Sequence, residues 1–130
     1  MLLGEYKHNL DTKGRVAVPA KFRAHLSSGA IITRGLDRCL FVFDSREWEK
    51  MIEKLTALPI AQSNSRAFSR LMLAGASDVQ LDVQGRILIP DYLREYADLK
   101  KQIVITGLYN RMEVWNKDKW EEYKKKTAKK

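Results

Sequence analysis

Two short stretches of the chain carry the residues best able to do chemistry. Leu10-Asp11-Thr12-Lys13-Gly14-Arg15 and Leu81-Asp82-Val83-Gln84-Gly85-Arg86 each set a carboxylate four residues before an arginine, with a glycine between them. Paired carboxylates in a duplicated β protein could form an acid–base dyad of the aspartic-protease kind, which must share one proton. Against that, Lys13 separates Thr12 from Gly14, and both aspartates lead into Gly-Arg, whose charge would keep both carboxylates ionised. The second chemistry belongs to the arginines. A guanidinium is planar and permanently charged, and it forks onto a phosphate or onto O6 and N7 of a guanine. Two roles therefore stand open for Arg15 and Arg86: contact with a polyanion, or a purely structural ion pair. Asp11 and Asp82 read as turn-fixing residues that close the turn or hold the following arginine, while Gly14 and Gly85 can take positive φ.

Other chemistries find little support. No glycine-rich loop ends in Lys-Ser/Thr, and there is no His-Glu-x-x-His. His8 and His25 have no acidic or cysteine cluster beside them and read as ordinary surface or helix-end histidines. Cys39 is the one cysteine, which excludes an intrachain disulfide and a multi-cysteine metal site. The expectation is no catalytic residue, no metal, no cofactor and no small-molecule substrate. No apolar run approaches the roughly 20 residues of a membrane span, so no membrane partner is expected. The first residues lack the layout of a signal peptide. Together these point to a reducing, cytoplasmic setting.

Charge points to a polyanion. The net charge is +8, a balance that favours nucleic acid or an anionic surface. Lys117 to Lys130 holds seven lysines against three acids, and Lys7 to Arg38 holds seven basic residues against Asp11 and Asp37. The first cluster reads as a solubilising tail. The second contains Lys13 at a turn tip, suited to a phosphate, with Arg15 and, by charge and proximity only, Lys7 and Arg23 as further candidate contacts.

The elements that must position these residues are themselves repeated. After Arg15 and Arg86 the register continues: Val16, Val18, Pro19 and Arg23 match Ile87, Ile89, Pro90 and Arg94. With one added residue, Ile31-Ile32 matches Ile103-Val104, Gly35-Leu36 matches Gly107-Leu108, and Trp48 matches Trp120. Each copy reads as strand, tight turn, strand, short helix, hairpin, helix. In the first copy the spacing predicts a helix over 20–26 after Pro19, and strands at 31–33 and 40–43 around an Arg34–Arg38 turn. A helix over 46–57 follows, capped by Asp44 with Glu47. Trp48, Met51, Ile52, Leu55 and Leu58 should face the core, as should Phe41, Phe43, Trp115 and Trp120. Ser63-Asn64-Ser65 offers caps for a further helix ended by Gly75. The expected layout is a first repeat over 1–58, a connecting helix over 59–76, a second repeat over 77–123 and a basic tail over 124–130. Each half is too small for a good core alone, so the halves should pack together.

Leu-Asp-x-x-Gly-Arg-Val/Ile-x-Val/Ile-Pro, followed by a short basic helix, resembles the DNA-binding hairpin of the AbrB family. Two copies in one chain, with the opening Met-Leu-Leu-Gly-Glu-Tyr and Thr33-Arg34-Gly35-Leu36-Asp37, resemble the MraZ family of transcriptional regulators, from about residue 1 to residue 123. That resemblance implies an α+β fold: an AbrB-like double swapped-hairpin β-barrel with peripheral helices. It implies a sequence-specific DNA-binding regulator of its own division and cell-wall operon, nucleoid-associated. Its partners would be repeated G-rich promoter boxes in double-stranded DNA and copies of itself in a ring-like homo-oligomer. A rival reading is a scaffold or protein-binding module. Some AbrB-like modules are antitoxins with a toxin-binding tail, but the residues after Trp120 are short and lysine-rich. One departure stands out: Gln84 replaces Lys13 in the second copy, and residues 78–116 carry six acids against five basic residues. The two halves are thus expected to share DNA contact unequally.

Overall fold

Alternation of side chains decides how the layers stack. In the computed structural model, which describes residues 2–128, Leu40 and Val42 of β4 (Leu40–Asp44) enter one core, while Phe41 and Phe43 enter another. Strand β7 (Gln102–Tyr109) divides likewise, with Ile103 and Ile105 on one side and Val104 on the other. A sheet buried on both faces needs near-continuous apolar strands, which is why these runs do not alternate with polar residues.

That sheet is antiparallel and six-stranded, in the order β1-β7-β8-β4-β3-β5. The remaining strands are β1 (Leu2–Asn9), β3 (Ala30–Arg34), β5 (Ser77–Val79) and β8 (Met112–Asn116). A separate two-stranded ribbon pairs β2 (Arg15–Ala17) with β6 (Arg86–Leu88). The ribbon, α1 (Ala20–Leu26) and α4 (Asp91–Tyr96) cover one face through Val16, Val18, Phe22, Ile87, Ile89 and Leu93. On the other face lie α2 (Ser45–Thr56), α3 (Ser63–Ala74) and α5 (Lys117–Ala128), with Leu55, Met72 and Trp115 buried and Trp48 and Trp120 packed against them. All five aromatic residues assigned to the core by their spacing pack there.

Each half lends its first strand to the other. Strand β1 pairs with β7 over its whole length, and β5 pairs with β3. The loan is unequal, eight residues against three. Helix α3 explains this: it ends at Ala74, just before β5, and the buried Thr33 hydroxyl donates to the Met72 carbonyl. Gly75 and Ala76, which would continue β5 opposite Arg34 and Thr33, instead cap the C-terminus of α3, both amides bonding the Leu73 carbonyl.

The closed barrel expected from the resemblance is not what forms. The large sheet is open, with β1 and β5 at its two ends, and the side chains of the ribbon and of α1 and α4 fill the space over its inner face. Two local expectations also change. Gln62, without a side-chain bond, sits at the N-cap of α3 in place of Ser63, Asn64 or Ser65. Asp44 Oδ1 does accept the Glu47 N–H at 2.8 Å, but the Glu47 carboxylate turns to Lys50 rather than back to the cap. Helix α5 takes in the basic tail as far as Ala128; Lys129 and Lys130 lie outside the described residues.

Candidate nucleic-acid interface

The ribbon is built around a local twofold relation. Val16 faces its counterpart Ile87, while Arg15 faces Leu88 and Ala17 faces Arg86. Val16 and Ile87 are each 1% exposed and point into the core. Because side chains alternate across a strand, Arg15, Ala17, Arg86 and Leu88 share the outer face. Both arginines therefore stand on one two-stranded surface.

The turns leading into the ribbon hold these arginines. Asp11 N–H donates to the Arg15 carbonyl and Gly14 N–H to the Asp11 carbonyl; Asp82, Arg86 and Gly85 repeat the pattern. Each is a three-residue loop closed by a glycine of positive φ, +87° at Gly14 and +77° at Gly85. Asp11 Oδ1 accepts from the backbone N–H groups of Lys13 and Arg15, and its Oδ2 accepts from Arg15 Nε at 2.9 Å. Asp82 does the same for Gln84 and Arg86, with Nε at 3.0 Å. Arg86 Nη1 also lies 3.9 Å from Asp11 Oδ2, which joins the two halves electrostatically.

Hydrogen bonding settles the charge state of the aspartates. The backbone N–H of Arg15 first, together with its guanidinium, holds the Asp11 carboxyl below the usual carboxylate range. The backbone N–H of Arg86 does the same for Asp82. Two carboxylates stabilised as anions do not share a proton, so the dyad chemistry has no basis here. In each pair the aspartate takes Nε; the Nη1 and Nη2 end of Arg15 is then the part turned to a ligand, whereas Nη1 of Arg86 already lies toward Asp11.

The other candidate residues separate. Lys13 is exposed at the first turn tip, where the second turn has the exposed Gln84. Arg23 Nε donates to the Val18 carbonyl at 3.1 Å, and its guanidinium lies over Gly85. Arg94 repeats this exchange, bonding the Ile89 carbonyl and covering Gly14. Arg23 and Arg94 thus brace the opposite half's turn. The match of Arg23 with Arg94 was visible in the repeat, but nothing in the sequence signalled this bracing. Lys7 lies on β1 of the large sheet, opposite Val104, in a groove with Gln102 and Lys117. The structure brings Lys13, Arg15 and Arg86 together at the ribbon and leaves Lys7 outside it. Two further exposed residues, Val83 and Leu88, belong to this surface and carry no charge to draw notice.

No group of three or more His, Cys, Asp or Glu among the described residues could hold a metal ion. No helix among them is long and apolar enough to cross a membrane. Burial pushes the Cys39 thiol up, away from the reactive thiolate.

The family profile described as "MraZ protein, putative antitoxin-like" matches this chain twice, over residues 1–71 and 72–130. A protein of Halothermothrix orenii named Transcriptional regulator MraZ is 53% identical over 123 residues, which cover 95% of this chain and 86% of that protein. Proteins of the same name from Caldanaerobacter subterraneus subsp. tengcongensis and Natranaerobius thermophilus are 50% and 52% identical; the matched residues cover 98% and 95% of this chain and 89% and 86% of theirs.

Proposed function

The chain belongs to the MraZ family, whose named members are transcriptional regulators rather than enzymes, and from that premise we propose that its ribbon reads DNA sequence. The observation that carries this reading is the pairing of the half-buried Arg15 and Arg86 on one two-stranded outer face, each Nε held by its own aspartate. A β-ribbon fits the major groove, and an arginine oriented beforehand loses less freedom when its forked end meets guanine O6 and N7. The ion pair and the DNA contact, alternatives in the sequence, become one device: the aspartate aims the arginine. Lys13 at the tip reaches a phosphate, and Arg23 supports the ribbon from behind the Gly85 turn.

The finer reading follows the family resemblance. The protein regulates its own division and cell-wall operon, acting in the cytoplasm on the nucleoid and binding repeated G-rich boxes. The exchanged first strands support the swapped-hairpin relation between the halves. Few basic residues lie on each ribbon, so several subunits in a ring engaging successive boxes would gain strength through effective concentration.

A binding titration against salt tests this, using wild type, Arg15→Ala, Arg86→Ala and Lys13→Ala on the protein's own upstream DNA and a scrambled duplex. Loss of Lys13 should weaken both duplexes alike and lower the slope of log K against log salt by about one phosphate contact. Loss of Arg15 should remove preference for the native duplex by about 1–3 kcal/mol. A wild type with no preference and a flat salt response would leave the scaffold reading in its place.

A further inference from the structure

The outer face of the ribbon carries one large apolar side chain among its charges. Leu88 is 54% exposed and stands directly across from Arg15. The hydrogen bond from Ile89 N–H to the Gly14 carbonyl flanks this pair, making Arg15 and Leu88 a non-hydrogen-bonded pair, the kind whose side chains approach most closely. Their Cβ atoms are therefore about 4.5–5.5 Å apart. Successive bases are spaced by about 3.4 Å, so side chains this close reach adjacent base pairs. The counterpart of Leu88 in the first half is Ala17, beside Arg86, which is smaller and half-buried. The apolar component of the face is thus concentrated on the Arg15 side.

In the major groove, the apolar group that distinguishes one base pair from another is the C5-methyl of thymine. We infer that Leu88 is a specificity-determining residue that packs against the methyl of a thymine next to the guanine read by Arg15. This rests on the ribbon being the DNA-reading element. It assigns the two halves different preferences, guanine with a neighbouring thymine for the Arg15 side and guanine alone for the Arg86 side.

Replacing thymines in the upstream duplex one at a time by deoxyuridine removes the methyl and nothing else. At one thymine per box, wild type should bind about fourfold more weakly after the exchange, the effect of one buried methyl group. Leu88→Ala, altered at an exposed position, should bind the thymine and uracil duplexes alike. Ala17→Leu should gain a similar preference beside the guanine read by Arg86. The inference is overturned if no exchange affects wild type, or if Leu88→Ala keeps the full discrimination. A parallel series with 7-deazaguanine, which lacks the N7 acceptor, separates the two levels. Guanine dependence without thymine dependence removes Leu88 alone; dependence on neither base removes the ribbon as reader.

Discussion

Substituting Gly85 with alanine should destabilise the protein for two separable reasons. Its φ of +77° lies in the left-handed region, where a residue with a Cβ costs about 1–2 kcal/mol. The new Cβ would also sit 2.5 Å from Arg23 Nε and 2.6 Å from its Cζ. No real contact is that close, so the guanidinium must move and its bond to the Val18 carbonyl is lost, at about 1 kcal/mol. The expected sum is about 2–3 kcal/mol. With a urea slope of about 1.5 kcal/mol/M, the unfolding midpoint should fall by roughly 1–2 M. A double-mutant cycle isolates the guanidinium. In an Arg23→Ala background, Gly85→Ala should cost only the backbone share of about 1–2 kcal/mol. Equal costs in the two backgrounds would refute the bracing of this turn by Arg23. By the same geometry, Gly14→Ala should couple to Arg94 and not to Arg23.

Three further outcomes follow from burial and charge. Asp11 and Asp82 have depressed folded pKa values, so their contribution is present above the ordinary carboxylate range and lost as pH falls through the folded values. The stability difference between wild type and Asp11→Asn/Asp82→Asn should hold steady at neutral pH and shrink below about pH 4 in a series of urea titrations. Leu93→Ala should cost about 2–5 kcal/mol, since Leu93 is fully buried beneath the ribbon layer; a loss under 1 kcal/mol would contradict that packing. Cys39, buried and with its thiol pKa raised, should resist a disulfide reagent in the folded protein and react once unfolded, as followed by absorbance.

Much of this was legible in the sequence because it is local. The repeat gave the two turns, the glycines gave their handedness, and the spacing of Trp48, Met51 and Leu55 gave α2. Residue patterns foresaw only that the halves pack together; a swapped arrangement came from the family resemblance alone. Pairing partners of β1 are about a hundred residues away, and no periodicity encodes which distant strand a strand meets. The open sheet was missed for a related reason: no local pattern tells whether the end strands β1 and β5 meet. At the site, motif and charge pointed to Arg15, Arg86 and Lys13, which share the ribbon, while charge and proximity alone pointed to Arg23, which braces it, and to Lys7, which lies outside it. Charge reports attraction to a polyanion and says nothing of which face a residue occupies. Leu88 went unseen because, between Ile87 and Ile89, it reads as one more residue of a buried apolar run.

Fusion of the two halves in one chain also explains how they can differ. In a symmetric pair of identical chains, any change at Lys13, Ala17 or the linker would appear twice. In this chain the core of the twofold is kept: Val16 meets Ile87, Gly14 lies under Arg94, and Gly85 lies under Arg23. The departures lie away from that axis. Gln84 stands for Lys13, Leu88 for Ala17, and α3 occupies the connection between the halves. Residues that hold the ribbon together must match their counterparts across the axis, whereas residues on its outer face answer only to what lies against them. An asymmetric outer face on a symmetric support is the arrangement expected of a reader whose target is not a palindrome. On the proposed DNA reading, such a ribbon has a direction on the duplex.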